Sequence, residues 1–302
     1  MQQMKHVEPG GLRHDTYTQV AGLVLIIPIV MLLSLIIVGP FTLSVWRSLT
    51  DKATGGFTSG NYVWLLTKPD FLPAFLRSLY IAGGAVVLDV LVAVPLAILL
   101  NQPLPGRGIL RAAVTLPWAI PTVAVATAFL WLSDTSYGLF NQVGLATGML
   151  RQPVSVFGSP QLALSTVMVV HAWKSLPLVF IVVLSSLQSL PNEYLEAARV
   201  DGAWRLSQFW HIVIPHLRPS IVLAAVLSGI GNFALFDLTF LLTGGGPAGR
   251  TTTLPLLLYL QEFTAFDSGR SAAVGVAIVV VGAIALAGLF RLEAFDKRVR
   301  RS

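Results

Sequence analysis

The chain contains no cysteine. Disulfides, thiolate metal centres and cysteine nucleophiles are therefore excluded, and cysteine usage gives no reading of the redox compartment. Charge is scarce too. Only 11% of the 302 residues are Asp, Glu, Lys or Arg, against roughly 25% in soluble domains. The five histidines (His6, His14, His171, His211, His216) are scattered. They offer no metal-ligand spacing and no Ser/His/Asp arrangement, so the chain reads as non-enzymatic. There is also no evident internal repeat, low-complexity tract or second soluble domain.

What is abundant is apolar sequence: 55% of residues, with a mean hydropathy of +0.75. This composition predicts an all-α membrane protein. A helix needs about 20 mostly apolar residues to cross a bilayer core about 30 Å thick. Six runs are long enough, at about 20–46, 76–100, 109–132, 161–187, 219–242 and 268–290. The first is too long and too deep in the chain for a cleaved signal peptide, and Pro28 and Pro40 interrupt it. The organisation read from these runs is an N-terminal tail at 1–19, a first span with its loop at 20–75, a five-span core at 76–290 and a basic tail at 291–302.

A net charge of +6 would suit nucleic acid, but the positions of the bases argue for a bilayer. Arg291, Lys297, Arg298, Arg300 and Arg301 follow the last apolar run, as on the cytoplasmic flank of a span. With the N-terminus inside, Lys5, Arg13, Arg107, Arg111, Arg199, Arg205, Arg218 and those five are inside. Arg47, Lys52, Lys68, Arg77, Arg151, Arg250 and Arg270 are then outside. The excess predicts that both termini are cytoplasmic and that the loops at about 47–75, 133–160 and 243–267 are external.

Ionisable groups inside spans cost roughly 2.5–3.5 kcal/mol each on insertion scales, so each is a functional candidate. Asp89 lies in the middle of the second run, Lys174 beside Trp173 in the fourth, and Asp237 in the fifth, near Asn232. Asp89 and Lys174 either pair as structural glue or line a gate or pathway. Asp237 and Asn232 are read as pathway groups, since substrate hydroxyls need hydrogen-bonding partners in a cavity. His171 is read as a packed core residue. Residues 244–251, Gly-Gly-Gly-Pro-Ala-Gly-Arg-Thr, almost spell a phosphate-cradling loop. That reading fails: Arg250 replaces the lysine, Pro247 removes a backbone donor, and no strand precedes.

Between the fourth and fifth runs lies a polar stretch, 191–217. Its local sense is a short helix, a turn and a second short helix. Pro191 suits a first helical position. Glu193 and Glu196 fall in early turns, where the helix dipole favours negative charge. Gly202 tolerates a positive φ where the chain turns, and Pro215 is expected to stop the second helix. The pattern Glu196-Ala197-Ala198, then Asp201-Gly202, then Ile212-x-Ile214-Pro215 resembles the EAA loop of ATP-binding-cassette (ABC) importer permeases. One position departs from the family pattern: Ile214 stands where Leu is usual, a swap that keeps size and polarity.

Two further stretches carry the same resemblance. Phe236 to Pro247, with its Thr-Gly-Gly-Gly-Pro element, resembles the end of span five in carbohydrate-type permeases of the maltose/glycerol-3-phosphate first-subunit type. Leu116-Pro117-Trp118-Ala119-Ile120-Pro121, followed by Trp131, Gly138, Asn141 and Leu145, resembles span three and its outer loop. Trp173-Lys174-x-x-Pro177 resembles another recurring family element.

The resemblance implies a six-helix type I ABC importer permease bundle with a cytoplasmic coupling helix, in a bacterial or archaeal inner membrane. Glu193, Glu196, Ala197, Ala198, Asp201, Gly202, Ile212 and Pro215 would then couple to an ATPase. The implied partners are a second homologous permease, two ABC ATPase subunits and an extracytoplasmic solute-binding protein. This chain would bind no cofactor; ATP and Mg would sit on the partner ATPase. The expected cargo is a sugar or related polyol. The alternatives are a glycerol phosphate, phosphodiester or other non-sugar solute, or an ion-driven secondary carrier using Asp89, Lys174 and Asp237 as its relay.

Overall fold

A computed structural model describes residues 24 and 26–299. The expected tail at 1–19, the start of the first span, and Arg300 and Arg301 lie outside the described residues. Among the described residues the fold is helical, with a lone antiparallel bridge between Thr50 and Phe57. The helices are α1 (Ile26–Ser48), α2 (Gly60–Thr67), α3 (Phe71–Asn101), α4 (Arg107–Ala119), α5 (Thr122–Leu132) and α6 (Leu139–Ala146). They continue as α7 (Ala163–Gln188), α8 (Asn192–Val200), α9 (Arg205–Ala234), α10 (Asp237–Thr243), α11 (Leu254–Phe263) and α12 (Ser268–Val299).

Among the described residues, α1, α3, α7, α9 and α12 are each long and apolar enough to cross a membrane. The third expected span departs from a single rod. It is the pair α4 and α5, bent by 98°. The cause is local: Ile120 precedes Pro121 and takes φ −77°, ψ 129°, because the proline ring disfavours the helical region for the residue before it.

The fifth expected span, 219–242, is also corrected. Helix α9 begins at Arg205 and runs unbroken past Pro215 and Pro219 to Ala234; a break at 235–236 then separates it from α10. Pro215 does not stop the helix because a π-helical segment, Phe209–Val213, immediately precedes it. A proline ring clashes with the carbonyl four residues back, here that of His211, and the wider π turn relieves this. Pro40 in α1 follows the same device, with its π segment at Ser34–Val38. Helix α12 also runs beyond its expected end at 290, as far as Val299, into the stretch expected to be a basic tail.

Helices α3, α7 and α9 pack mutually and form the centre of the bundle. In lipid, apolar burial gives no drive of its own, so association depends on close packing and interhelical hydrogen bonds. One stripe of α3 supplies the close approach: Ala82, Ala85, Ala93 and Ala97 are buried at helical spacing, with Asp89 at its centre. Towards the end of the bundle that carries α8, Ala93, Ala97 and Leu100 pack against Val179, Phe180, Val183 and Leu187 of α7 and Leu217 and Ala224 of α9. Towards the other end, Ile81 packs with Val125, Val167, Val170 and Leu238. A third cluster joins Ala74 and Ala82 to Phe233, Leu254, Leu257 and Val274.

Candidate functional site

Helix α8 is a short, charged element between two long apolar ones. Pro191 precedes it with φ −62° and ψ 133°, so the helix opens at Asn192, one residue later than the sequence suggests. Glu193 occupies the first turn, where the positive end of the helix dipole favours it. Gly202 has φ +81°. Its N–H donates to the Arg199 carbonyl at 3.0 Å, and the Ala203 N–H donates to that of Ala198 at 2.8 Å. This pair of bonds is the Schellman closure, which needs a left-handed residue at Gly202. The buried Gln208 amide then donates to the Ala203 carbonyl at 2.9 Å and ties the turn to α9.

Leu195 and Ala198 are half-buried, whereas Glu193, Glu196, Ala197 and Asp201 are exposed. So are large apolar side chains on and after α8: Tyr194, Val200, Trp204, Leu206 and Trp210 are 55–88% exposed. A lipid face would not interleave these with Glu193, Glu196, Arg199, Asp201 and Arg205. Clustered apolar exposure on a charged loop makes this stretch a candidate for protein contact. Ile212 lies half-buried in the π segment, and Pro215 is exposed beyond it. His216 Nε2 lies 3.0 Å from the Ser186 carbonyl oxygen, so the start of α9 is fastened to the end of α7.

A second polar constellation is buried between the long helices. The Ser175 hydroxyl donates to Asp89 Oδ2 at 2.7 Å, and the Ser228 hydroxyl donates to the same oxygen at 2.9 Å. The Asn232 Nδ2 group donates to both serine oxygens, at 3.1 Å each. Ser175 Oγ is also 3.0 Å from the His171 carbonyl, but a hydroxyl has one hydrogen and the carboxyl oxygen is nearer. Asp89, Ser228 and Asn232 are buried and Ser175 is half-buried. Asp89 Oδ1 makes no hydrogen bond. His171, also buried, meets the Thr239 hydroxyl at 3.1 Å through Nε2, while its Nδ1 has no partner.

Asp89 and Asn232 thus meet through two serines, and Asp89 does not pair with Lys174. The Lys174 ammonium donates instead to the Ile120 carbonyl at 2.8 Å. There it satisfies a backbone acceptor freed at the α4–α5 bend, as burial in lipid requires. Trp173 packs edge-on against Phe129 of α5, with ring centroids 5.6 Å apart. Asp237 lies at the start of α10, where its Oδ1 accepts the Leu238 N–H. An apolar cavity of about 230 Å³ lies between α3, α9 and α12, lined by residues that include Gly83, Gly229, Phe233 and Gly282. Asp89, Lys174, Asn232 and Asp237 do not line it.

Ser175 and Ser228 were not singled out from the sequence. Their signal was the i, i+4 spacing of His171 with Ser175 and of Ser228 with Asn232, which puts each pair on one helix face.

Comparison with known proteins gives a consistent outcome. The family described as binding-protein-dependent transport system inner membrane component matches residues 90–301. The trehalose/maltose transport system permease protein MalF of Thermococcus litoralis is 31% identical over 265 residues, covering 86% of this chain and 89% of the relative. The sulfoquinovosyl glycerol transport system permease protein SmoG of Agrobacterium fabrum is 29% identical, covering 92% of each chain. Among solved structures, a chain of a bacterial alginate ABC transporter, in complex with a periplasmic protein bound to alginate pentasaccharide, superposes with a TM-score of 0.78. It is 19% identical and shares the fold over 91% of this chain and 94% of its own.

Proposed function

The chain belongs to the binding-protein-dependent transport system inner membrane component family, and from that premise we propose that it is the permease subunit that moves a sugar or related polyol into the cytoplasm by alternating access. A separate ATPase drives it through the loop at 191–217. In this reading, ATP and Mg belong to two ABC ATPase subunits, a second homologous permease completes the membrane pore, and an extracytoplasmic solute-binding protein delivers the cargo. This chain contributes no ATPase chemistry of its own.

The observation that carries the coupling reading is the exposed cluster of Tyr194, Val200, Trp204, Leu206 and Trp210 on a loop studded with charges. The Schellman closure at Gly202 holds α8 at a fixed angle to α9, and Gln208 and His216 brace the joint. A force on α8 therefore reaches α7 and α9 together. Support for a sugar cargo comes from the relatives: permeases named for trehalose, maltose and sulfoquinovosyl glycerol align over most of this chain. The last of these names contains glycerol, which keeps glycerol phosphates and phosphodiesters as the second reading.

The test is ATPase stimulation in the reconstituted complex, with its binding protein, across a panel of neutral disaccharides, polyols, glycerol 3-phosphate and glycerophosphodiesters. Stimulation confined to neutral sugars or polyols is the expected result. Stimulation by the phosphorylated compounds alone would overturn the sugar assignment.

A further inference from the structure

We propose that the Asp89–Ser175–Ser228–Asn232 network is a positioning device for transport: it fixes the register of α7 and α9 on α3, so that movement of α8 reaches the far half of the bundle without slippage. The proposal rests on the permease reading above.

The geometry is specific. Helix α8 joins α7 to α9, so any displacement of α8 is applied to the end of one and the beginning of the other. Ser175 lies on α7 roughly 20 Å from its end at Gln188, taking about 1.5 Å per residue. Apart from the His216–Ser186 bond at that end, the side chains packed between it and the network are apolar: Ala93, Ala97, Val179, Val183, Leu217 and Ala224. Such contacts are non-directional and specify no donor–acceptor pairing between the helices. Hydrogen bonds do specify one, and the network supplies directional bonds that join all three helices beyond that apolar stretch.

Every hydrogen in the network has one direction. The two amide hydrogens of Asn232 go to the two serine oxygens, and the two hydroxyl hydrogens go to Asp89 Oδ2. A shift of either α7 or α9 by one residue breaks at least two of the four bonds. The device uses only one oxygen of Asp89, since Oδ1 is unpartnered. An amide at position 89 can present the same acceptor, so the account requires the shape of Asp89 and not its charge.

The experiment uses the complete transporter in proteoliposomes, with equal amounts of assembled complex, and reads ATP hydrolysed per solute imported. Asp89→Leu and the double variant Ser175→Ala/Ser228→Ala should each raise that ratio, by up to about 30-fold for a coupling change of about 2 kcal/mol. Asp89→Asn should stay within about twofold of the unmodified protein by the same measure. If Asp89→Leu fails to assemble, the serine double variant decides, because it removes the donors and almost no volume. A role in packing alone would lower thermal stability or yield and leave the ratio unmoved; that result overturns the proposal. So does a ratio for Asp89→Asn as high as that for Asp89→Leu, which would assign the function to the charge. Absence of ATP-driven uptake by the unmodified complex is a different outcome. It removes the permease reading, and the proposal falls with it.

Discussion

At Gly202 a side chain is excluded by the backbone and not by its neighbours. No heavy atom lies within 4 Å of where a Cβ would stand, yet φ is +81°. Forcing a β-branched residue into that region costs on the order of 1–3 kcal/mol. Gly202→Val should leave the permease in the membrane but weaken retention of the ATPase on purification and lower uptake, while Gly202→Asn, which tolerates the left-handed region, should be milder. Uptake at the unmodified level in both would make residues 193–215 a mere connector. The buried amide is tested in the same way. Asn232→Leu deprives two serine oxygens of their donor, at about 1–3 kcal/mol for unsatisfied buried groups. It should lower both thermal stability and uptake. Asp237→Asn keeps an acceptor for the Leu238 N–H, so transport of a neutral sugar should survive in part. Uptake abolished by Asp237→Asn would point to an ion relay. Asp89, Lys174 and Asn232 were legible in the sequence because such groups are costly in an apolar run. Ser175 and Ser228 were not, because a hydroxyl there costs little and their partner Asp89 lies 86 and 139 residues away.

Among the elements, α8 carries the strongest sequence signal, and its turn was readable from a single glycine. Its surroundings were less so. A proline at 215 reads as a stop, whereas the two π segments show that a wider turn can carry a proline inside a continuous helix. The 98° bend at Ile120–Pro121 was visible as a proline, but the donor to its freed carbonyl, Lys174, lies 54 residues along the chain. The break at 235–236 has no glycine or proline to announce it. Glu196 tests the element directly. It is exposed, so Glu196→Lys should leave protein level and thermal stability within experimental scatter of the unmodified chain. If α8 docks on an ATPase, the same variant should lose that subunit on purification and lower transport. Retention of the subunit with normal uptake would show that Glu196 takes no part.

For the molecule as a whole, six apolar runs anticipated a helical bundle and largely placed its long helices, since spanning length is imposed by the bilayer and is local in sequence. How those helices are crossed, bent and bonded is set by contacts across the whole chain. Orientation rests on the distribution of Lys and Arg, and the absence of cysteine makes it testable. Single cysteines at the exposed positions Ser155 and Ala248 should react with an impermeant reagent from outside, and one at Ser207 should not. Labelling at Ser207 from outside would place α8 on the wrong face of the membrane. The central claim is that ATP, supplied through a partner, drives solute across this bundle. Its most direct measurement is solute uptake by proteoliposomes containing the complete complex, with binding protein outside, ATP sealed inside and no ion gradient. The account predicts accumulation that stops when ATP is omitted or cannot be hydrolysed. Uptake that is absent with ATP and appears only when a proton or sodium gradient is imposed would contradict it.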